Sequence, residues 1–303
     1  MRDICVIGGS RYVGKRLTAR LLAAGDRVTV VNRGSSVPPE GALHLVADRN
    51  DEAALCDVLG DRTFDVVVDQ VCYTPRQART ARRVFGGRTG RYVLTSSVEV
   101  YEYEDSEAPV REEAVDPGAV RVDLDAPWDD AGYLEHHYGE GNRQAEAVLA
   151  AAGPELPWVS VRTAHVLGGT DDFTGRVEHY ASRMRDAKPV RVPVGNRPAT
   201  YIHVEEIADF LYWTAGREFT GPVNANSHGP LVTADICEAI RRTAGGTTAF
   251  AAVEVGTYSP FSFARSYGMD NTRATKLGFS FSHTSEWLDR AVGETLNSRK
   301  GGT

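Results

Sequence analysis

The chain has 303 residues, 42% hydrophobic and 25% charged, enough to bury one large core or two modest ones. Its 34 Lys and Arg against 41 Asp and Glu leave −7 at neutral pH, which argues against a nucleic-acid surface, because phosphates call for a basic face. Cys5, Cys56, Cys72 and Cys237 form no Cys-x-x-Cys pair and no histidines cluster with them, so free thiols in a reducing cytoplasm are expected and no metal site.

Residues 4–7 form an apolar run that ends in Gly8 and Gly9, after which Val13, Leu17 and Leu21 recur at helical spacing until Gly25: strand, turn, helix. Strands are expected at 28–31, 43–47, 64–68, 92–95 and 158–161, and helices at 51–59, 74–85 (opened by Pro75) and 138–152. Such alternation predicts an α/β, Rossmann-type doubly wound parallel sheet whose ligand site lies at the carboxyl ends of the strands. Residues 1–165, rejoined by 199–228, make up this domain, and 166–198 with 229–303 form a smaller substrate-binding portion. The polar tail 297–303 reads as disordered. The chain opens on a strand rather than a signal peptide, and no apolar run approaches the roughly 18 residues of a membrane span, so a cytoplasmic protein is expected.

Glycines between a strand and a helix let the backbone approach a pyrophosphate, whose charge sits on the free amides of the helix N-terminus. Gly8, Gly9 and Gly14 have that context, with Ser10, Arg11, Tyr12 and Val13 between them, although Arg11 stands where a glycine is usual. The second strand ends in Asn32 and Arg33 rather than the carboxylate that takes hydrogen bonds from an NAD ribose. A guanidinium grips a 2′-phosphate that a carboxylate repels, so Arg11 and Arg33 favour NADP(H) over NAD. Asp48 serves either the adenine amino group or a helix N-cap.

The stretches "VIGGSRYVG", "YVLTSSVEVY", "HYGEGNRQAE", "VRTAHVLGG" and "YIHVEEIADF" occur in order along nearly the whole chain. Together they resemble the extended and atypical short-chain dehydrogenase/reductase superfamily, in the group of NAD-dependent epimerases and dehydratases. The resemblance implies that Ser97 holds the substrate oxygen, that Tyr138 gives or takes the proton, and that Gln70, Cys72, Thr95, Tyr138 and Thr163 line the cofactor. Asn142 stands where the group carries a lysine, four residues after the tyrosine and so on the same helix face. A neutral amide cannot stabilise phenolate by charge, which harms oxidation more than reduction. Ser97 as a mere cap and Tyr138 as a packing aromatic remain the plain alternatives. His165 stands where relatives carry an asparagine beside the substrate, and His136, His137 and His165 are each candidate proton relays.

Two arginines that clamp the diphosphate of nucleotide sugars are replaced, by Ala199 and Pro260, with Arg197 and Arg265 nearby. The reading is therefore an NADPH-dependent oxidoreductase, a ketoreductase acting on a small non-nucleotide carbonyl substrate such as a polycyclic secondary metabolite. A nucleotide-sugar epimerase or dehydratase and a non-catalytic NADP-binding sensor are the alternatives. Some members with this arginine-containing turn bind RNA, which the charge of −7 disfavours here. Twelve acidic side chains between Glu102 and Glu135, with Pro109, Pro117, Pro127, Trp128 and Tyr133, read as an active-site lid or as a solvated excursion. Helices starting near Pro75 and Tyr138 are a possible homodimer interface, with Ala145, Ala147, Ala150 and Ala151 allowing close packing.

Overall fold

A computed structural model describes residues 1–104 and 106–297, in two compact units. Unit 1 holds residues 1–103, 112–163 and 208–224; unit 2 holds 104–111, 164–207 and 225–303. The expected return of the chain to the first unit is thus confined to 208–224.

Unit 1 is built from β1 (Asp3–Ile7), α1 (Tyr12–Ala23), β2 (Arg27–Asn32), β3 (Leu43–Val46), α2 (Glu52–Leu59), β4 (Val66–Asp69), α3 (Pro75–Phe85) and β5 (Tyr92–Ser97). It continues through α4 (Ala131–His136), α5 (Tyr138–Ala150) and β6 (Trp158–Thr163). The fourth strand starts later than the apolar run suggests, because Phe64 makes only an isolated bridge to Thr89. A seven-stranded sheet ends in β10 (below), in the order β10-β6-β5-β4-β1-β2-β3. The ladders β3-β2-β1-β4-β5-β6 are all parallel. Buried on both faces, the strands carry near-continuous apolar runs, such as the fully buried Val66–Asp69. One core packs Cys5, Ile7, Val67 and Leu94 against Leu55, Ala81, Phe85, Ala145 and Leu149 of the covering helices. Ala145 and Ala147 are therefore spent inside the unit rather than on a partner.

Unit 2 carries β7 (His165–Leu167), α6 (Arg176–Arg185), β8 (Val190–Pro193) and β9 (Tyr201–His203). There follow α7 (Val204–Thr214), which continues into unit 1, and β10 (Gly221–Ala225), which but for its last residue lies in unit 1; α8 (Thr233–Ala244), β11 (Phe250–Val253), α9 (Thr272–Lys276) and α10 (Leu288–Asn297) complete unit 2. Here β7 pairs with β9 and β8 with β11, each in parallel, over a core of Leu167, Tyr180, Tyr201, Ile236, Phe261, Trp287 and Val292. The β7–β9 ladder over Tyr201–His203 and the bridges of Ala199 to Leu231 and Tyr267 tie the chain before α7 to this unit. Asn297 closes α10, and the rest of the tail read as disordered lies outside the described residues. No described helix is long and apolar enough to cross a membrane.

Candidate functional site

The turn after β1 needs its glycines. Gly8 has φ +84, donates its N–H to Val31 O at 2.9 Å, and a Cβ there would lie 2.9 Å from Val71. At Gly14 a Cβ would lie 2.4 Å from the carbonyl oxygen of Gly8, so α1 packs on the turn only without a side chain. Arg11 is the N-cap of α1 in extended backbone (φ −133), which any residue adopts, and its side chain is exposed. The left-handed conformation falls instead on Tyr12 (φ +46), whose buried ring lies under the Arg16 guanidinium at 5.7 Å. The turn therefore closes with no glycine at position 11.

Asn32, at the end of β2, is turned into the loop rather than outward. Its Nδ2 donates to Ser10 Oγ and to Ser36 O (3.1 Å), and its Oδ1 accepts from Gly34 N at 2.6 Å and faces His44 Nε2 at 3.0 Å. Arg33 is left exposed beside it. Asp48 accepts from Asn50 N at 2.9 Å, while the N-cap of α2 is Asp51, which accepts from Ala54 N at 3.0 Å; the capping alternative for Asp48 falls. Gln70 Nε2 donates to Thr95 Oγ1 at 2.8 Å, tying the ends of β4 and β5 together. The Cys72 side chain is fully buried in the core, where burial pushes its thiol up to about 12, so it offers a cofactor no side-chain chemistry.

Ser97 and Thr163 are register partners at the carboxyl ends of β5 and β6. Ser97 Oγ accepts from Glu99 N at 3.2 Å, capping a single 3₁₀ turn over Val98–Tyr101, so the capping role is real and leaves the hydroxyl hydrogen for another acceptor. Tyr138 opens α5, half-buried, its ring 5.7 Å from that of Tyr73. Two glycines that sequence reasoning passed over bring it there. A Cβ at Gly139 would lie 2.3 Å from Glu99 O, and one at Gly141 2.3 Å from Tyr73 O. The signal was the G-x-G opening the helix. Asn142 is fully buried; Nδ2 donates back to Tyr138 O at 2.7 Å, and Oδ1 has no partner. An orphaned buried acceptor four residues after Tyr138 suits a ligand hydroxyl.

His137, stacked on Tyr133 at 3.9 Å, directs Nδ1 to Tyr133 O at 2.8 Å, and His136 directs Nδ1 to Gly132 O at 2.7 Å. Both rings are thus held in place by their own helical turn. In unit 2, His165 stacks on Phe263 at 4.8 Å, and burial with the nearby Arg176 and Arg265 charges lowers its pKa to about 3. The same burial and charges keep the imidazole neutral at physiological pH. Arg197 lies 3.8 Å from Glu107, and the Arg265 guanidinium sits 3.8 Å over the Tyr267 ring.

The acidic stretch is neither a free lid nor a loose excursion. In unit 1, Trp128 is buried with Nε1 donating to Asp123 O at 2.7 Å, Arg76 donates to Leu124 O at 2.8 Å, and Asp123 N donates to Gln144 Oε1 at 2.7 Å. In unit 2, Val110 N donates to Gly268 O at 2.8 Å and Arg111 pairs with Asp270. Its backbone is anchored while Glu113, Asp116, Asp125 and Asp130 face water. Behind β5 and β6 lies a network invisible in the sequence. Glu146 and Arg162, both 0% exposed, pair at 2.6 Å. Ser96 and Ser160 donate to Glu146, and Arg162 donates to Tyr101 Oη and to the carbonyls of Glu112 and Val115.

A dinucleotide fits these residues: the turn admits no Cβ at its closest approaches, α1 presents its first amides there, and Asn142 Oδ1 awaits a donor. Comparison with known proteins agrees. Residues 4–85 match the model of the NAD dependent epimerase/dehydratase family. A chloroplast stem-loop binding protein of 41 kDa from Arabidopsis thaliana is 26% identical over 281 residues, spanning 86% of this chain and 67% of the relative. UDP-glucose 4-epimerase of Thermotoga maritima, solved with UDP-glucose, superposes with a TM-score of 0.75 at 16% identity, covering 99% of each chain. The dTDP-glucose 4,6-dehydratase of Bacillus anthracis, in complex with NAD, gives 0.75 at 12% identity, covering 100% of this chain and 97% of its own. The chain therefore matches the model of the NAD dependent epimerase/dehydratase family over residues 4–85 and shares its fold with the two sugar-nucleotide enzymes.

Proposed function

We propose that the protein is a nicotinamide-dependent oxidoreductase that interconverts a carbonyl and a carbinol on a polar, sugar-like substrate, in the manner of an epimerase or dehydratase. The observation that carries it is the pairing of Ser97 with Thr163 at the carboxyl ends of β5 and β6, with the helix that Tyr138 opens held close to Glu99 and Tyr73 by Gly139 and Gly141. A bound nicotinamide supplies the exchange of hydride with a substrate carbon. Tyr138 holds the proton that the substrate oxygen gains or loses, Ser97 Oγ–H orients that oxygen, and Asn142 Oδ1 accepts from a cofactor hydroxyl. Gly8, Gly9, Ser10 and Gly14 form the pyrophosphate turn. Gln70, Thr95 and Thr163 line the nicotinamide side, and Asp48 lies toward the adenine. The exposed Arg11 and Arg33 favour NADP(H), although the dehydratase named above carries NAD.

Likeness to the UDP-glucose and dTDP-glucose enzymes supports a nucleotide sugar. Asn142, Ala199 and Pro260 support the second reading, one-way reduction of a small ketone by a neutral tyrosine. The two readings divide in one assay. NADPH and NADH turnover is followed with UDP-glucose, dTDP-glucose and a panel of ketones, and Tyr138→Phe is expected to lower the active rate by about 10²–10⁴. Turnover of the ketones alone selects the second reading. No turnover on any substrate, with nucleotide still bound, overturns both in favour of a sensor.

A further inference from the structure

We propose that unit 1 carries, at the amino end of its sheet, a binding site for a small oxyanion, a carboxylate or a phosphate, in which one edge of the Arg91 guanidinium makes two parallel hydrogen bonds and Phe219 backs its face. The site is separate from the proposed chemistry at Tyr138. Arg91 immediately precedes β5 and Ser97 ends it, so about 20 Å of strand lies between them.

Strand pairing fixes where the guanidinium stands. Arg91 N donates to Thr89 Oγ1 at 3.3 Å, and Arg91 O accepts from Val67 N at 2.8 Å and from Thr89 Oγ1 at 2.9 Å, so the backbone is held through both of its polar groups. The guanidinium lies 5.0 Å from the centre of the Phe219 ring, on the link between α7 and β10. Arg91 is 8% exposed, yet its Nε and Nη2 have no hydrogen-bond partner among the described residues. These two nitrogens form one edge of the planar fork, the edge that matches the paired oxygens of a carboxylate or a phosphate. The chain itself shows the match: Arg2, Arg162, Arg241 and Arg242 give Nε and Nη2 to Asp26, Glu146, Glu238 and Asp289. Burial opposes the charge of Arg162, but Glu146 holds its pKa above the ordinary arginine value; at Arg91 burial wins and lowers the pKa to about 10. Glu218 is the carboxylate whose charge reaches Arg91, and it faces water and leaves both nitrogens unmet. Arg217, over the neighbouring Trp213 ring at 5.0 Å, adds a second cation. Buried donors are ordinarily matched, so a whole fork edge left over beside two cations and one carboxylate calls for an oxyanion from outside. Its way in is the largely exposed link 216–220, because an irregular connection opens more readily than a sheet.

The test is NMR of the Arg91 Nε–H signal in the whole chain labelled with ¹⁵N-arginine, titrated with sodium acetate, with inorganic phosphate and with acetamide as the neutral isostere, at matched ionic strength. A saturable movement of that signal is expected with acetate or phosphate, about tenfold or more tighter than with acetamide. Saturation by acetate alone identifies a carboxylate, and by phosphate alone a phosphate. Arg91→Lys, which keeps the charge and loses the fork, assigns the signal and is expected to weaken binding about tenfold or more in calorimetry. Phe219→Ala, which removes the backing ring, serves for both purposes if Arg91→Lys does not fold. Glu218→Gln is expected to tighten the anion by about two- to fivefold, because it removes a like charge. A signal that stays still, one that moves in proportion to added salt without saturating (an adventitious ion only), or equal binding of acetamide overturns the site. So does an Arg91 signal that Glu218→Gln shifts in the absence of any added anion while acetate and phosphate leave it unmoved, which gives the edge to the chain's own carboxylate. None of these readouts uses turnover, so the site and the Tyr138 chemistry stand or fall separately.

Discussion

At position 11 a glycine is absent where the usual spacing of the turn wants one, and Arg11 there is extended while the next residue, Tyr12, has a positive φ. A side chain in that region costs roughly 1–2 kcal/mol. Burial of the tyrosine ring and its contact with Arg16 offset the strain. Spacing alone announces a turn, but not which residue bears a positive φ, since that depends on what packs over it. The same holds for His165. Its imidazole titrates near 6.5 in the unfolded chain and near 3 in the fold, so between those values the unfolded state binds one more proton. Stability is therefore expected to fall on acidification, by about 1.4 kcal/mol per pH unit from this residue below roughly pH 6. His165→Gln should flatten that slope in urea unfolding followed from pH 7 to pH 4.5; an unchanged slope would mean that His165 protonates freely in the folded state.

Among the elements, α5 carries the most. Its first turn is glycine-lined for approach to the 3₁₀ turn and to Tyr73, and its later turns bury Ala145, Glu146 and Leu149. From the sequence, Glu146 is an ordinary helix-surface residue; in the fold it is fully enclosed and shares its carboxylate with Arg162, Ser96 and Ser160. Glu146→Ala strands a buried guanidinium and is expected to destabilise by about 3–5 kcal/mol, read as a lower urea midpoint at unchanged m. Glu146→Ala with Arg162→Met removes both charges and should recover a large part of that loss; no recovery would show that packing rather than the unpaired charge sets the cost. The acidic segment teaches the same lesson. Its charges are visible in the sequence, yet its anchoring runs through Trp128 Nε1, Glu112 and main-chain carbonyls, which composition does not report.

For the whole molecule, net charge sets what it meets in solution. The Arabidopsis relative is named for binding stem-loops, whereas this chain sums to −7. The most arginine-rich helix, α3, already commits Arg76 to Asp129 and Arg83 to Glu52. Binding of a stem-loop RNA at physiological salt is expected to be no tighter than the non-specific range of about 10⁻⁴–10⁻⁶ M. A nanomolar complex with a steep salt dependence in filter binding would reverse that expectation. Most of the parallel sheet and the glycine turn were legible in the sequence, because apolar periodicity and short-range spacing are local and survive without a fold, whereas the roles of Ser97, Tyr138 and Asn142 come from the family resemblance alone. Which way Asn32 turns, what the acidic stretch rests on, that Glu146 meets Arg162, and that Arg91 lies over Phe219 were decided only by tertiary structure. Those facts depend on contacts between residues far apart along the chain and on the low dielectric that burial creates, neither of which any local stretch of sequence contains.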